Sequence, residues 1–343
     1  MSVAAAPPSP TASVEGRESA IEVDQLSKSY AEVEAVRGIS FSVPVGETFG
    51  FLGPNGAGKS TTISILCTLI RPTAGNARVG GFDVVRQARE VRRRIGLVFQ
   101  DTTLDDYLTA EENLRFHAEL YGMTGSVVAS RIAQVLPMVE LWERRASIVR
   151  TFSGGMKRRL EIARGLLHSP RVLFLDEPTL GLDPQTRSRV WSYINELRQR
   201  ESITIFMTTH YMDEAEYCDR IAIIDHGRIV AMESPAALKA SVGQDRVQLR
   251  TEDDAAAIAG LREHFALEAK MSEGAVTLYV PGAAEFVPRL VAELGVPIRS
   301  ISVARPTLDD VFMTYTGRTI RDAEASSGEQ FRAGPFMRAR RAR

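Results

Sequence analysis

The sequence predicts an α/β fold with a mostly parallel sheet, followed by a small α+β domain. Three observations carry this. Gly53, Pro54, Asn55, Gly56, Ala57, Gly58, Lys59, Ser60, Thr61 and Thr62 fill and flank the pattern G-x-x-x-x-G-K-[ST], between an apolar run and a helical periodicity. Val172 to Leu175 is a continuous apolar run, which suits a parallel strand buried on both faces. Beyond about Gly243 the pattern reads β-α-β-β-α-β, the split βαβ order of small α+β domains.

The loop dictates its own chemistry. Thr48 to Leu52 reads as the strand before it. Ile63, Leu66, Cys67 and Ile70 recur at i, i+3, i+4 and i+7, which predicts a helix reaching Ile70. Glycines let backbone N–H groups close around a triphosphate without Cβ clashes. Lys59 is expected to reach the β- and γ-phosphates, and the Ser60 hydroxyl to ligate Mg²⁺. The helix N-terminus points at the phosphates.

The remaining elements follow in order. Ile21 to Val23 and Ile39 to Val43 alternate like antiparallel strands. Gly80 and Gly81 turn the chain before Phe82, and Ile95 to Phe99 is a short strand ending at Gln100. From Asp101 the pattern becomes helical. Thr109 with Glu112 makes a capping box. A second helix covers Val127 to Met138, and Ser153 opens a third whose one side carries Met156, Leu160, Ala163 and Leu167. After the run at Val172 come a helix (Arg187 to Arg200), a strand (Ile203 to Met207), a short helix from Tyr211, and a hairpin turning at Asp225, His226 and Gly227. Strands alternating with helices argue for the parallel core.

A length of 343 residues suits about two domains. A net charge of −1 excludes the basic bulk that tracks nucleic acid. No apolar stretch reaches the ~18 residues of a membrane helix. Cys67 and Cys218 read as buried free thiols, compatible with a reducing cytoplasm. Residues 1–20 read as a disordered leader with no signal peptide, and 319–343 as a disordered basic tail.

A phosphate loop needs a partner for its metal. Asp176 ends the apolar strand and is placed for that role; Glu177 diverges from it and is placed to polarise an attacking water.

At this point the chain resembles the ATPases of ABC transporters. Phe152-Ser153-Gly154-Gly155-Met156 is similar to their signature, and Leu175 to Thr179 to their Walker B segment. Gly181-Leu182-Asp183 resembles the D-loop. Gln100 matches the Q-loop, His210 the switch histidine, and Tyr30 the aromatic that stacks on adenine. The resemblance implies a P-loop NTPase core with an antiparallel β subdomain and a helical subdomain (about 101–168) within residues 21–243, then a small α+β domain at 244–318. It implies ATP and Mg²⁺, with Glu177, His210, Gln100 and Lys59 in catalysis and Ser60, Gln100 and Asp176 around the metal. It also implies a head-to-tail homodimer, because Ser153, Gly154, Gly155 and Asp183 serve the nucleotide held by a partner's loop. Met156 stands where the commonest signature has glutamine and cannot donate the amide hydrogen bond; the backbone anion site survives.

Phe152 to Arg159, His210 to Glu216 and Pro306 to Phe312 resemble the daunorubicin-resistance branch of exporter ATPases. That implies a peripheral subunit on the cytoplasmic face of the plasma membrane. It would power efflux of a drug-like or lipid-like molecule through a separate permease. Two alternatives stand beside it: an importer ATPase and a non-transport member. The stretch between Lys59 and Ser153 lacks the sustained heptads of the DNA-repair members. Thr103 to Leu108, with Leu104, Tyr107 and Leu108, reads equally as a permease-docking segment or as subdomain packing. The basic tail offers a contact to anionic lipid or a solvated end.

Overall fold

A computed structural model of the chain describes residues 18–243, 245–272, 274–317 and 320. Most of the expected leader and tail therefore lies outside the described residues. These form two compact units that divide between Ser234 and Pro235. The sequence puts that change near Gly243. The difference is one helix, α8 below, which packs with the last helix of the second unit; the composition shift at Gly243 marks only its end.

In the first unit, β1 (Ser19–Tyr30) and β2 (Val33–Pro44) pair antiparallel, with Ile21 opposite Val43 and Val23 opposite Phe41. β3 (Thr48–Leu52) enters a second sheet, and α1 (Lys59–Leu66) follows the loop at its end. This helix stops a turn before the periodicity predicts. Thr68 takes a left-handed φ of 64°, and the Thr68 and Leu69 N–H groups bond back to Ile65 and Ser64. That is a Schellman closure, which satisfies the last carbonyls. Ile70 then reaches the core from a loop.

β4 (Ala74–Val79) and β5 (Phe82–Asp83) complete an antiparallel sheet of order β2-β1-β4-β5. After α2 (Ala88–Arg92) and β6 (Ile95–Val98) comes a helical region of α3 (Ala110–Leu120), α4 (Gly125–Met138) and α5 (Gly154–Leu166). The capping box forms as expected: Glu112 N donates to Thr109 Oγ1 at 3.2 Å and Thr109 N to Glu112 Oε2 at 2.7 Å. β7 (Val172–Asp176), α6 (Pro184–Glu201), β8 (Thr204–Thr209), α7 (Met212–Ala215) and the hairpin β9 (Arg220–Asp225) with β10 (Arg228–Glu233) finish the unit.

The second sheet has the order β10-β9-β3-β8-β7-β6 and is parallel except for β10. Every residue of β7 is buried, as its unbroken apolar run requires. The two sheets meet through phenylalanines. Phe41 of β2 stacks on Phe49 of β3 at 5.4 Å and contacts Phe51 and Phe206, and Phe174 of β7 extends the cluster. Each buried ring contributes about 2–3 kcal/mol through area removed from water. This rigid floor carries the strand ends that build the site.

The second unit contains α8 (Pro235–Val242), β11 (Asp245–Thr251), α9 (Asp254–Phe265), β12 (Ala269–Ser272), β13 (Ala275–Val280), α10 (Ala283–Glu293), β14 (Ile298–Ala304) and α11 (Leu308–Thr316). Its sheet is antiparallel, ordered β12-β13-β11-β14, which is the split βαβ arrangement. Val247, Leu249, Val276 and Leu278 form a core with Ala257 and Leu261 of α9 and Leu290 of α10. Cys67 and Cys218 are buried and free.

Candidate active site

In open parallel sheets, ligands sit beyond the carboxyl ends of the strands. Four neighbouring strands deliver the predicted residues to that edge. β3 leads into Gly53 to Gly58, β8 ends at Thr208 and Thr209 before His210, β7 ends at Asp176 before Glu177, and β6 precedes Phe99 and Gln100.

The loop is shaped by close backbone approaches. Gly58 has φ +108°, and a Cβ there would lie 2.5 Å from the Ala35 carbonyl oxygen, so only glycine fits. Gly227 N donates to Ala57 O at 3.0 Å, tying the loop to the β9–β10 hairpin. Asn55 and Gly56 remain exposed, while Pro54 and Ala57 are buried. Thr61 is half-buried, and Thr62 Oγ1 bonds back to Gly58 O at 2.9 Å.

Lys59 is buried, and its ammonium donates to Gly53 O at 2.6 Å and Pro54 O at 3.2 Å. It also lies 3.2 Å from Glu177 Oε1. The other oxygen, Oε2, lies 3.3 Å from His210 Nδ1. Burial pushes the Glu177 carboxyl up, but the adjacent His210 ring and the Lys59 ammonium outweigh it. Glu177 is held below the usual carboxylate range.

Asp176 faces a different set. Its Oδ1 accepts from Thr208 Oγ1 at 2.5 Å and from Ser60 Oγ at 3.2 Å. Burial pushes the Asp176 carboxyl above its usual pKa despite those bonds. Adjacent carboxylates point apart because Asp176 ends an extended strand while Glu177 takes φ 45°. A left-handed non-glycine residue costs roughly 1 kcal/mol. Bonds from Glu177 N to Thr208 Oγ1 (3.1 Å) and O (3.2 Å) hold it there. The Ser60 hydroxyl and the Asp176 carboxylate, 3.2 Å apart, are hard oxygens of the kind that would hold a Mg²⁺ ion. The donor set therefore fits the ion.

Not all predicted residues join this group. Gln100 is exposed, and no side-chain hydrogen bond fixes it among the described residues. Tyr30 ends β1 and is exposed, with the Lys28 ammonium 5.0 Å from its ring centre. Ser153 caps α5 by accepting from Met156 N at 3.3 Å, and Asp183 caps α6 by accepting from Thr186 N at 3.0 Å. Ser153, Gly155 and Met156 border a separate cavity of about 210 Å³ with Arg159, Thr186 and Arg189, which includes no residue of the phosphate loop. Gly154 lies beside it in α5. Reasoning from the sequence misses Arg158 of α5, whose buried guanidinium reaches the carbonyls around Glu177. It sits within the basic run Lys157-Arg158-Arg159, so nothing local marks it as buried.

Comparison with known proteins accords with this geometry. Residues 36–180 match the ABC transporter family model, and residues 234–316 match the C-terminal domain of ATP-binding proteins like DrrA1-3. The linearmycin resistance ATP-binding protein LnrL of Bacillus subtilis is 38% identical over 317 residues, 88% of this chain and 100% of that protein. The daunorubicin/doxorubicin resistance ATP-binding protein DrrA of Streptomyces peucetius is 39% identical over 88% of this chain and 94% of its own. The Nod factor export ATP-binding protein I of Burkholderia orbicola is 39% identical over 88% and 98%. Among solved structures, cbiO1 of Clostridium perfringens superposes with a TM-score of 0.61 at 28% identity, over 65% of this chain and 91% of that one. A dimeric ATP-binding cassette with bound ADP and Pi gives 0.56 at 29% identity, over 62% and 98%. The chain belongs to the ABC transporter family, as one of its ATP-binding proteins.

Proposed function

We propose that this chain is the ATP-hydrolysing subunit of an exporter that moves a drug-like or lipid-like molecule through a separate membrane permease. Membership of the family makes the chain an ATPase. The carrying observation is the convergence of Lys59, Ser60, Asp176, Glu177 and His210 at the carboxyl edge of adjacent strands. Lys59 and the loop N–H groups of Gly53 to Thr62 bind the triphosphate, and Tyr30 stacks on the base. Ser60 and Asp176, with Gln100 closing in once nucleotide binds, would hold Mg²⁺, and the ion would neutralise charge on the phosphate oxygens. Glu177 accepts the proton of the attacking water, and His210 orients Glu177. The water oxygen then bonds to the γ-phosphorus as the bond from that phosphorus to the β–γ bridging oxygen breaks, which gives ADP and inorganic phosphate.

Ser153, Gly154, Gly155 and Asp183 serve a second copy's nucleotide. Their separation from the phosphate loop supports this, as does the dimeric state of the similar cassette with ADP and Pi. The permease docks beside Gln100. There Leu104 is buried and serves packing, whereas Tyr107 is 79% exposed and free for contact. No helix among the described residues is long and apolar enough to cross a membrane. The subunit sits on the cytoplasmic face through that permease.

Export rather than import follows from the relatives, which span both units and are resistance or export proteins by name. The test is co-expression with the permease and preparation of inside-out vesicles. ATP-dependent accumulation of an amphipathic fluorescent drug is the expected result. No accumulation beside ATP-driven uptake in right-side-out vesicles would instead support import.

A further inference from the structure

All five N–H groups of the Arg158 guanidinium are engaged, which is its full donor complement. Nε donates to Pro178 O at 2.5 Å, and Nη2 to Asp176 O at 3.1 Å and Glu177 O at 3.2 Å. Nη1 donates to Phe99 O and lies 3.1 Å from Glu161 Oε2. Glu161 is 1% exposed, and its Oε1 accepts from Thr103 N at 2.8 Å. Phe99 and Thr103 bracket the segment that carries Gln100. One ion pair on α5 therefore grips both ends of that segment and the backbone on which Glu177 is mounted.

Stability alone is a poor reason for this pair. A buried ion pair costs several kcal/mol of desolvation per ion, and apolar residues of equal volume often serve as well. Geometry is a better reason. Glu177 sits in a left-handed conformation, and its peptide is held from below by Thr208 and from the side by Arg158. A planar fork can hold four carbonyls and a carboxylate together, whereas a lysine's point charge cannot.

We propose that Arg158 and Glu161 are positioning residues for ATP hydrolysis, fixing the Gln100 segment and the Glu177 backbone in one register. The proposal rests on Glu177 being the water-activating group. It places the pair away from nucleotide affinity and on the chemical step. A shift of about 1 Å at a catalytic group costs roughly 100-fold in rate.

The experiment uses the full chain with Arg158→Lys, Glu161→Gln, Glu177→Gln and the double variant Arg158→Lys/Glu177→Gln. Affinity for a fluorescent ATP analogue, turnover and thermal midpoint are measured for each. Arg158→Lys and Glu161→Gln are expected to keep affinity within about threefold while turnover falls roughly 100-fold. The double variant should turn over no more slowly than Glu177→Gln alone, because Arg158 acts through Glu177. A further multiplicative fall, or loss of affinity and melting point in step with turnover in both single variants, overturns the proposal. Undiminished turnover in Glu177→Gln overturns the underlying assignment instead, so the two failures are distinguishable. If Arg158→Lys does not fold, Glu161→Gln in both backgrounds decides the question.

Discussion

Glu177 and Lys59 form a buried ion pair, Oε1 to Nζ 3.2 Å, with side chains 7% and 3% exposed. One residue is the proposed proton acceptor and the other the proposed phosphate ligand, so each sets the electrostatics of the other. Lys59 helps hold Glu177 ionised and therefore able to accept a proton. Opposite charges in such a site are costly to separate, because a lone buried charge has no solvent to compensate it.

Glu177→Gln preserves shape and removes the proton acceptor. Turnover should fall by roughly 10²–10⁴-fold, the span of general-base catalysis. ATP affinity should remain near that of the unaltered chain, and ATP should trap a dimer visible by size-exclusion chromatography. Single-turnover hydrolysis measures the first effect. A rate within a few-fold of the original would remove Glu177 from its role.

Lys59→Ala deletes the main counter-charge to the triphosphate. Charge-assisted hydrogen bonds contribute about 1.5–3 kcal/mol, so affinity should weaken roughly 10- to 150-fold. Titration of a fluorescent nucleotide reads this directly. Unchanged affinity would count against the whole nucleotide site. The variant also strands Glu177, so a lowered melting point is expected alongside the binding defect.

The sequence declares some of this site and conceals the rest, for physical reasons. The phosphate loop is legible because its backbone path admits only certain residues, as the approach of Ala35 to Gly58 illustrates. The apolar run at Val172 is legible because burial on both faces leaves no room for alternation. Arg158 is concealed because neighbours on a helix point about 100° apart. Lys157 reaches Asp106 at 2.6 Å and Arg159 reaches Val139 O at 2.8 Å, while Arg158 alone turns fully inward. The end of α1 is concealed because a threonine occupies a left-handed closure that sequence assigns to glycine or asparagine. The edge of the second unit is concealed because α8 is assigned to it by packing on α11, a contact that lies more than sixty residues along the chain and leaves no local signal.

Stability should fall in mild acid through His117. Its ring lies 5.0 Å from Tyr121, which stacks on His168 at 3.9 Å. Burial, then the charges of Arg164 and His168, push His117 down to about 4 from 6.5. Burial also lowers His168. The folded value lies below the unfolded one, so the stabilisation is complete above about pH 6.5 and is lost as pH falls toward 4. Discounted for the ring's partial exposure, the loss is about 1–2 kcal/mol at pH 5. Urea midpoints at pH 7.5 and 5.0 measure it. His117→Gln should lose less stability over that interval, and an identical loss would assign the acid sensitivity elsewhere.

Gly155 tests the packing between α5 and the start of α6. A Cβ at this position would lie 2.4 Å from Thr186 Cγ2. Thr186 cannot retreat freely, because its N–H and hydroxyl bond to Asp183 at 3.0 and 2.6 Å and cap α6. Gly155→Ala should therefore destabilise by about 1–3 kcal/mol through overpacking. It should also lower turnover by displacing Ser153 and Asp183 together. Thr186→Ser removes the clashing methyl and keeps the capping hydroxyl, so on its own it should be nearly neutral. The double variant Gly155→Ala/Thr186→Ser should recover more than half of the lost stability and turnover, as a coupled pair in direct contact must. Denaturant midpoints and ATPase rates of the four proteins complete the cycle, and a double variant no better than Gly155→Ala would show that the methyl contact is not the constraint.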